Sequence, residues 1–181
     1  WKKFNTPSNA LVTAYDDERD VIRKNSTICF APDIVPWSDN YWPSNKYPFA
    51  NKMRKTDGTQ NFYIFRFADV LLLKAEALAR NGDAISAMAL VNQVRSRAKL
   101  NPISATSKDD ALSKILRERK LELAFEGEYW FDLKRFGKAV EIDMHKRAKD
   151  YVYSRRPNMI MDGELENSLT FSAERGVDVR I

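Results

Sequence analysis

The segment 67–98 constrains the fold most, because its pattern is that of two helices joined by a three-residue turn. Apolar side chains recur at intervals of three and four residues on both sides of Asn81, Gly82 and Asp83, which is the spacing of one helix face. Gly82 can adopt the left-handed conformation that ends a helix, and Asp83 can cap the next helix. Two helices joined by so short a turn pack antiparallel. The sequence therefore predicts a helical hairpin.

This hairpin is similar to a tetratricopeptide-like unit. Ala75 and Ala87 fall where such a unit needs small residues, so that its helices approach closely. About three units are needed to bury a continuous core, and one is visible here. The hairpin must therefore pack against other parts of the protein. A third helix is expected after Ser107 and should extend to about Gly127. The predicted class is mainly α, with tetratricopeptide-like hairpins packed with an irregular aromatic-rich loop region and little β.

The region before residue 62 has a different composition. It holds five of the seven prolines, which is unfavourable for long helices. Residues 30–49 also carry six aromatic side chains interspersed with Asp, Asn and Ser. We expect residues 1–61 to form an irregular, loop-rich region, residues 62–151 a helical core and residues 152–181 an irregular tail, all within one structural domain.

Two interpretations of the aromatic segment remain open. Aromatic side chains can anchor a proline-rich loop by packing. Alternatively, Trp and Tyr rings can stack on the apolar CH faces of sugars while amides and carboxylates bind the hydroxyl groups. On the second interpretation the stacking residues are Trp37, Tyr41, Trp42 and Tyr47, and the hydroxyl partners are Asp39, Asn40 and Asn45.

Charged residues lie on the apolar face of the third predicted helix. Arg119, Glu122 and Glu126 follow one another at i, i+3 and i+7, and charges on an apolar face must be paired. We expect Arg119 to pair with Glu122, and Arg66 is one candidate for the cation that Glu126 needs, so that the four residues form a structural ion network. The alternative is a catalytic carboxylate pair of a glycoside hydrolase. The catalytic carboxylates of a glycoside hydrolase face each other across a cleft of about 5–10 Å. The carboxylates here lie along one predicted helix, so the catalytic interpretation is disfavoured.

Composition excludes several classes of protein. Cys29 and His145 are each the one residue of their type, which rules out an internal disulfide, a Cys-based zinc site and a His-rich metal site. A transmembrane helix needs about 20 apolar residues, and no apolar run in the sequence approaches that length. The net charge of +5 permits an anionic partner without requiring one. We expect no cofactor, no metal and no nucleic-acid partner.

Three segments carry a resemblance to a known family. Residues 65–77 read FRFADVLLLKAEA, residues 91–98 read VNQVRSRA, and residues 118–135 read ERKLELAFEGEYWFDLKR. In this order and at this spacing, they resemble the SusD/RagB family of nutrient-binding lipoproteins. The resemblance extends over roughly residues 15–140.

The resemblance implies a non-catalytic protein at the extracellular face of the outer membrane. Such proteins bind glycans, sometimes peptides, beside a SusC-like TonB-dependent transporter, and their ligand sites lie on loops of a helical scaffold. The chain would be the C-terminal portion, attached to the membrane through an N-terminal lipid anchor that is absent here. The leading hypothesis is an oligosaccharide-binding subunit for polysaccharide uptake. The alternatives are a peptide-binding RagB-like subunit and a helical-repeat interaction module without a small ligand.

Overall fold

A computed structural model describes residues 6–30, 48–52, 59 and 63–139. The chain divides into two compact units, residues 1–129 and residues 130–181. The predicted region boundaries at 61/62 and 151/152 lie outside the described residues and stay a prediction.

The described elements are mostly helices. In chain order they are α1 (Asn9–Asp17), α2 (Val21–Thr27), β1 (Ile28–Phe30), β2 (Pro48–Ala50), α3 (Phe67–Arg80), α4 (Ala84–Arg97), α5 (Lys108–Glu122) and α6 (Tyr129–Arg135). The predicted mainly α class with little β is confirmed. Within the described ranges, no helix has the length and apolar character needed to cross a membrane.

The predicted hairpin is formed by α3 and α4. Gly82 has a positive φ of 91°, a conformation that costs glycine little because it has no Cβ. The carboxylate of Asp83 accepts a hydrogen bond from the backbone N–H of Ser86 at 3.0 Å and so caps α4. The expected helix end, turn and cap are therefore confirmed.

Helices α3, α4 and α5 pack on one another and form the main core. Small side chains allow this close packing, since Ala75 of α3 and Ala87 of α4 are fully buried as expected. Larger apolar side chains from all three helices fill the space between them: Leu72, Met88, Val91, Val94 and Ile115.

Helix α5 begins as predicted but ends earlier. Its N-cap is Ser107, whose hydroxyl accepts from the backbone N–H of Asp110 at 3.1 Å. The reciprocal bond of a capping box is shifted by one residue, because the Asp110 carboxylate accepts from the N–H of Thr106 at 2.9 Å. The helix stops at Glu122 and not near Gly127 as expected, and Phe125 in the following turn has a φ of 67°.

Side chains distant in sequence explain this early end. The Tyr15 hydroxyl donates to the carbonyl of Leu121 at 2.6 Å. Lys52 Nζ and Arg66 Nη2 both donate to the carbonyl of Glu122, at 2.8 Å and 2.6 Å. The last carbonyls of a helix lack partners within the helix, so donors from elsewhere can satisfy them. The local pattern of residues 118–127 contains no sign of these donors.

Helices α1 and α2 were not predicted. Both lie between Pro7 and Pro32, in a stretch without proline, so the high proline count of the first 61 residues does not apply to them. Ser8 and Asp20 cap them by accepting from backbone N–H groups three residues further on.

A second apolar cluster joins α1 and β1 to α5. Tyr15, Ile28 and Leu121 are buried together, and Phe30 packs against them. Burial raises the pKa of Tyr15 to about 12. The N-terminal elements are thus attached to the same helix that packs against the hairpin.

The close packing of α3 and α4 gives a first prediction. Replacing Ala75, which is 0% exposed, with Leu should lower the free energy of unfolding by about 1–3 kcal/mol through overpacking. The matched control is Ala77→Leu, at an exposed position of the same helix, which should change it by about 0.5 kcal/mol or less. Urea unfolding followed by circular dichroism measures both, and equal midpoints for the two variants would contradict the packing described.

Candidate functional site

The seven predicted ligand residues all lie in the segment 31–47, outside the described residues. They are Trp37, Asp39, Asn40, Tyr41, Trp42, Asn45 and Tyr47. What the structure describes is the base of this segment, the strands β1 and β2 that it connects.

This base is an antiparallel ladder. Phe30 pairs with Pro48, Cys29 with Phe49, and Ile28 with Ala50. The backbone N–H of Asn51 donates to the carbonyl of Thr27 at 2.7 Å and extends the pairing. The two ends of the segment 31–47 are therefore held beside each other at Phe30 and Pro48.

Two of the six aromatics in residues 30–49 have a packing role. Phe49 is buried, and Phe30 is partly buried against Tyr15, Ile28 and Leu121. A helical-repeat interaction module without a small ligand predicts that the aromatic side chains of residues 30–49 are buried. The four predicted stacking residues, Trp37, Tyr41, Trp42 and Tyr47, lie outside the described residues, so that expectation stays untested for them.

Three carboxylates form the centre of a buried ion network. Glu118 and Glu122 lie one turn apart on α5, and Glu126 lies in the turn that follows. Glu118 and Glu122 are almost completely buried. Buried carboxylates are costly unless cations and hydrogen-bond donors surround them. The cationic partners of the three carboxylates come from four other parts of the chain: α2, the segment after β2, the residue before α3, and α4.

Glu122 accepts from three arginines within the described residues. Arg23 Nη1 of α2 lies 3.1 Å from Oε2, and Arg66 Nη1, just before α3, lies 2.6 Å from Oε1. Arg97 Nη2, at the end of α4, lies 2.7 Å from Oε2. One carboxylate thus connects α2, α4, α5 and the start of α3.

Glu126 and Glu118 extend the network in opposite directions. Arg66 binds Glu126 with two donors, Nε at 2.6 Å and Nη2 at 2.9 Å, and Lys52 Nζ binds the same carboxylate at 2.8 Å. Glu118 accepts from Arg23 Nη1 at 2.6 Å and from Arg95 Nη1 at 3.0 Å. Binding of one carboxylate by two donors of the same guanidinium, as Arg66 binds Glu126, is the strong form of charge-assisted hydrogen bonding.

The electrostatics follow from these contacts. Burial opposes ionisation of Glu122, but Arg66, Arg97 and Arg23 outweigh it and lower the pKa of Glu122 below its ordinary value of 4.5. Burial likewise opposes the charge of Arg66, whose pKa is nevertheless raised by Glu126 and Glu122. Burial lowers the pKa of Lys52 despite its bond to Glu126. The direction of the shift at Glu122 is opposite to the raised carboxyl pKa that is typical of a general acid.

The predicted network residues are only partly grouped as expected. Arg66 forms an ion pair with Glu126, as anticipated from the sequence, and it forms a second ion pair with Glu122. The expected pairing of Arg119 with Glu122 needs correction, because Arg119 Nη1 lies 2.7 Å from Asp69 Oδ1 of α3. A side chain can pair between helices as readily as within one, and spacing along α5 does not distinguish the two.

Sequence analysis missed several members of the network, namely Lys52, Arg23, Arg95 and Arg97. Arg95 and Arg97 belong to the segment 91–98 that carried the family resemblance, which is the one signal that could have pointed to them. Arg23 and Lys52 have no local pattern that predicts their partners.

A cleft opens beside Glu122 and Glu126. Its volume is about 370 Å³, and its lining includes Lys52, Tyr63, Arg66 and Arg97. Arg23 also lines it, and its buried Nη2 has no hydrogen-bond partner in the described part of the chain. Among the residues that the structure describes, no group of three or more His, Cys, Asp or Glu side chains is placed to hold a metal ion.

Comparison with known proteins identifies the family. A model of the SusD family matches residues 1–176. The chain belongs to the SusD family. A crystal structure of a SusD superfamily protein from Bacteroides vulgatus aligns with 85% of this chain and 39% of that chain, with a TM-score of 0.63 and 21% sequence identity. This likeness shows that the SusD-like helical fold is shared.

Two named relatives support membership of the SusD family. The SusD-like protein P38 of Formosa agariphila is 42% identical over 107 residues, which cover 54% of this chain and 21% of that protein. A SusD-like protein of Bacteroides ovatus is 38% identical over 85 residues, 45% of this chain and 15% of that protein. The chain therefore spans about a fifth or less of the length of these SusD relatives.

The low pKa of Glu122 predicts a pH dependence of stability. At pH 7 Glu122→Gln should lower the free energy of unfolding by about 3–5 kcal/mol, because three arginines lose their shared charge. A carboxyl whose folded pKa lies below its unfolded value stabilises the fold above the unfolded value, 4.5 here. That stabilisation is lost as the pH falls through the folded pKa.

The difference between the native protein and Glu122→Gln should therefore shrink below pH 4.5, as measured by urea unfolding at several pH values. Asp17→Asn is the control, because it removes an exposed carboxylate 3.9 Å from Arg117 and should cost less than about 1 kcal/mol. A difference that stayed constant down to pH 3 would contradict the assignment of Glu122.

Proposed function

We propose that this protein is a surface glycan-binding subunit of an outer-membrane nutrient uptake system, and that it has no catalytic activity. Membership of the SusD family over residues 1–176 carries the proposal. In this proposal it works beside a SusC-like TonB-dependent transporter, at the extracellular face, held by a lipid anchor on a part of the protein outside this sequence.

The proposed ligand is an oligosaccharide bound by residues of the segment 31–47. Two observations support this segment. Its composition combines Trp and Tyr rings with Asp and Asn side chains, which suits the apolar faces and hydroxyl groups of sugars. Its two ends are fixed by the β1–β2 ladder on a buried base, and binding loops are effective where a rigid scaffold positions them.

The ion network supports a role as scaffold for this site. Lys52 lies two residues after β2 and donates to both Glu122 and Glu126. The strand that leads out of the segment 31–47 is therefore tied directly to α5. In the proposed function Arg66, Arg119, Glu122 and Glu126 stabilise the fold and do not contact ligand.

The stacking residues give a binding prediction. Trp37→Ala and Trp42→Ala should each weaken binding of a glycan selected on an array by about 1–3 kcal/mol, by analogy with aromatic stacking of nucleic-acid bases. Isothermal titration calorimetry with the whole protein measures the change. Phe65→Ala is the control, since Phe65 is exposed but lies outside the segment 31–47.

The alternatives predict different results from the same preparation. Unchanged affinity in both Trp variants would place the site elsewhere. A glycan array without hits beside a peptide library with hits would support a RagB-like peptide-binding subunit. Absence of any small ligand would favour an interaction module, and hydrolysis of a bound sugar during long incubation would contradict a non-catalytic role.

A further inference from the structure

The cleft beside Glu122 and Glu126 has the size and lining of a small-ligand site. Its volume of about 370 Å³ falls at the lower end of the range of about 300–1,000 Å³ found for ligand pockets. Its lining residues come from several parts of unit 1–129 and belong to a packed scaffold. The described lining residues used below, Arg97, Lys52 and Tyr63, are not part of the segment 31–47 to which the proposed function assigns ligand binding.

The charges lining the cleft are unequal. Among the described lining residues, Lys52, Arg66 and Arg97 contribute three cations, against the two carboxylates of Glu122 and Glu126. Arg23, a fourth cation in the lining, is shared with Asp20 and Glu118, which lie outside the lining. An excess of positive charge beside low-dielectric walls attracts anions. The open side of the network can therefore accept a further negative group.

Arg97 is the cation placed to bind such a group. Its side chain is 63% exposed, whereas that of its partner Glu122 is 1% exposed. Within the described residues Arg97 uses Nη2 for hydrogen bonding and leaves Nε and Nη1 without a partner. A guanidinium carries five N–H donors in a planar fork, and its free edge suits a carboxylate or a sulfate.

An aromatic ring lies in the same lining. Tyr63 borders the cleft and is 53% exposed, and the half-exposed Ile22 borders it as well. Exposed rings of this kind offer an apolar face to the CH groups of a sugar, while the cations offer donors to its charged substituent. The lining thus combines the two contacts that an acidic sugar needs.

We propose that this cleft is a subsite for a sugar unit that carries an anionic group, either a carboxylate or a sulfate ester. Arg97 binds the anionic group, with Lys52 adding positive charge, and Tyr63 packs against the ring. The inference rests on the proposed sugar-binding function, but it concerns different residues from those of the segment 31–47.

Removal of Arg97 tests this subsite without dismantling the scaffold. Glu122 keeps Arg23 and Arg66 as partners when Arg97 is replaced, so Arg97→Ala should remain folded, as its thermal unfolding midpoint will show. Arg97→Lys retains the positive charge but not the planar arrangement of donors in the guanidinium group. It should therefore recover part of the binding that Arg97→Ala loses. Arg117→Ala is the matched control, because Arg117 is a half-exposed arginine paired with Glu18 outside the cleft.

The probes are trigalacturonate and 6-sulfated galactobiose, each beside an uncharged counterpart: fully methyl-esterified trigalacturonate and galactobiose. Calorimetry with the whole protein should show at least one acidic probe binding about tenfold or more tightly than its counterpart. Arg97→Ala should abolish that preference, since a hydrogen bond to a charged group is worth about tenfold or more in affinity. Tyr63→Ala should weaken binding of that acidic probe, and Arg117→Ala should leave its affinity unchanged.

Each other outcome overturns the inference. Three of these outcomes are native affinity in Arg97→Ala, equal binding of acidic and uncharged probes, and failure of both acidic probes to bind. The fourth is sodium sulfate binding as tightly as the acidic sugar, which would indicate an anion site without sugar recognition. Trp37→Ala and Trp42→Ala separate this from the proposed function. They should reduce binding of the array-selected glycan and leave the preference for the acidic probe intact.

Discussion

The buried carboxylate of Glu122 is the contact on which the arrangement of unit 1–129 depends. It accepts from Arg23, Arg66 and Arg97, which come from three different parts of the chain. A buried ion pair adds little net stability compared with apolar packing, but loss of one partner leaves an uncompensated charge at high cost. The network therefore selects one arrangement of α2, α4 and the start of α3 around α5, while the apolar core supplies most of the stabilisation.

The same contacts connect the scaffold to the proposed ligand segment. The end of α5 is capped by Tyr15, Lys52 and Arg66. Tyr15 lies in the apolar cluster with Ile28 of β1, and Lys52 follows β2. Both strands that flank the segment 31–47 are thus held by contacts to one helix end. Any change that loosens this end of α5 is expected to disturb the base of the segment before it disturbs the hairpin of α3 and α4.

Local patterns allowed prediction of the features that depend on neighbouring residues. The turn at Gly82 and the caps at Asp83 and Ser107 each rest on bonds within four residues, and all are confirmed. The early end of α5 and the partner of Arg119 depend on residues 50 or more positions away, so spacing within α5 could not indicate them. Arg66 was anticipated as a partner of Glu126 because a buried carboxylate requires a cation. No pattern in the sequence around Arg23 indicated that it would pair with Glu118 and Glu122.

The ion network is not uniform, and its gradient of exposure separates two roles. At the Glu118 end the charges are almost completely buried, and Arg23 and Arg95 there connect α2 and α4 to α5. Exposure increases through Arg66 to Arg97, whose guanidinium is the most exposed cation of the network. A purely structural pair for Glu122 would be better served by a buried arginine, because an exposed one loses much of its attraction to solvent screening. The open position of Arg97, in the same cleft lining as Tyr63, therefore argues for contact with a ligand in addition to contact with Glu122.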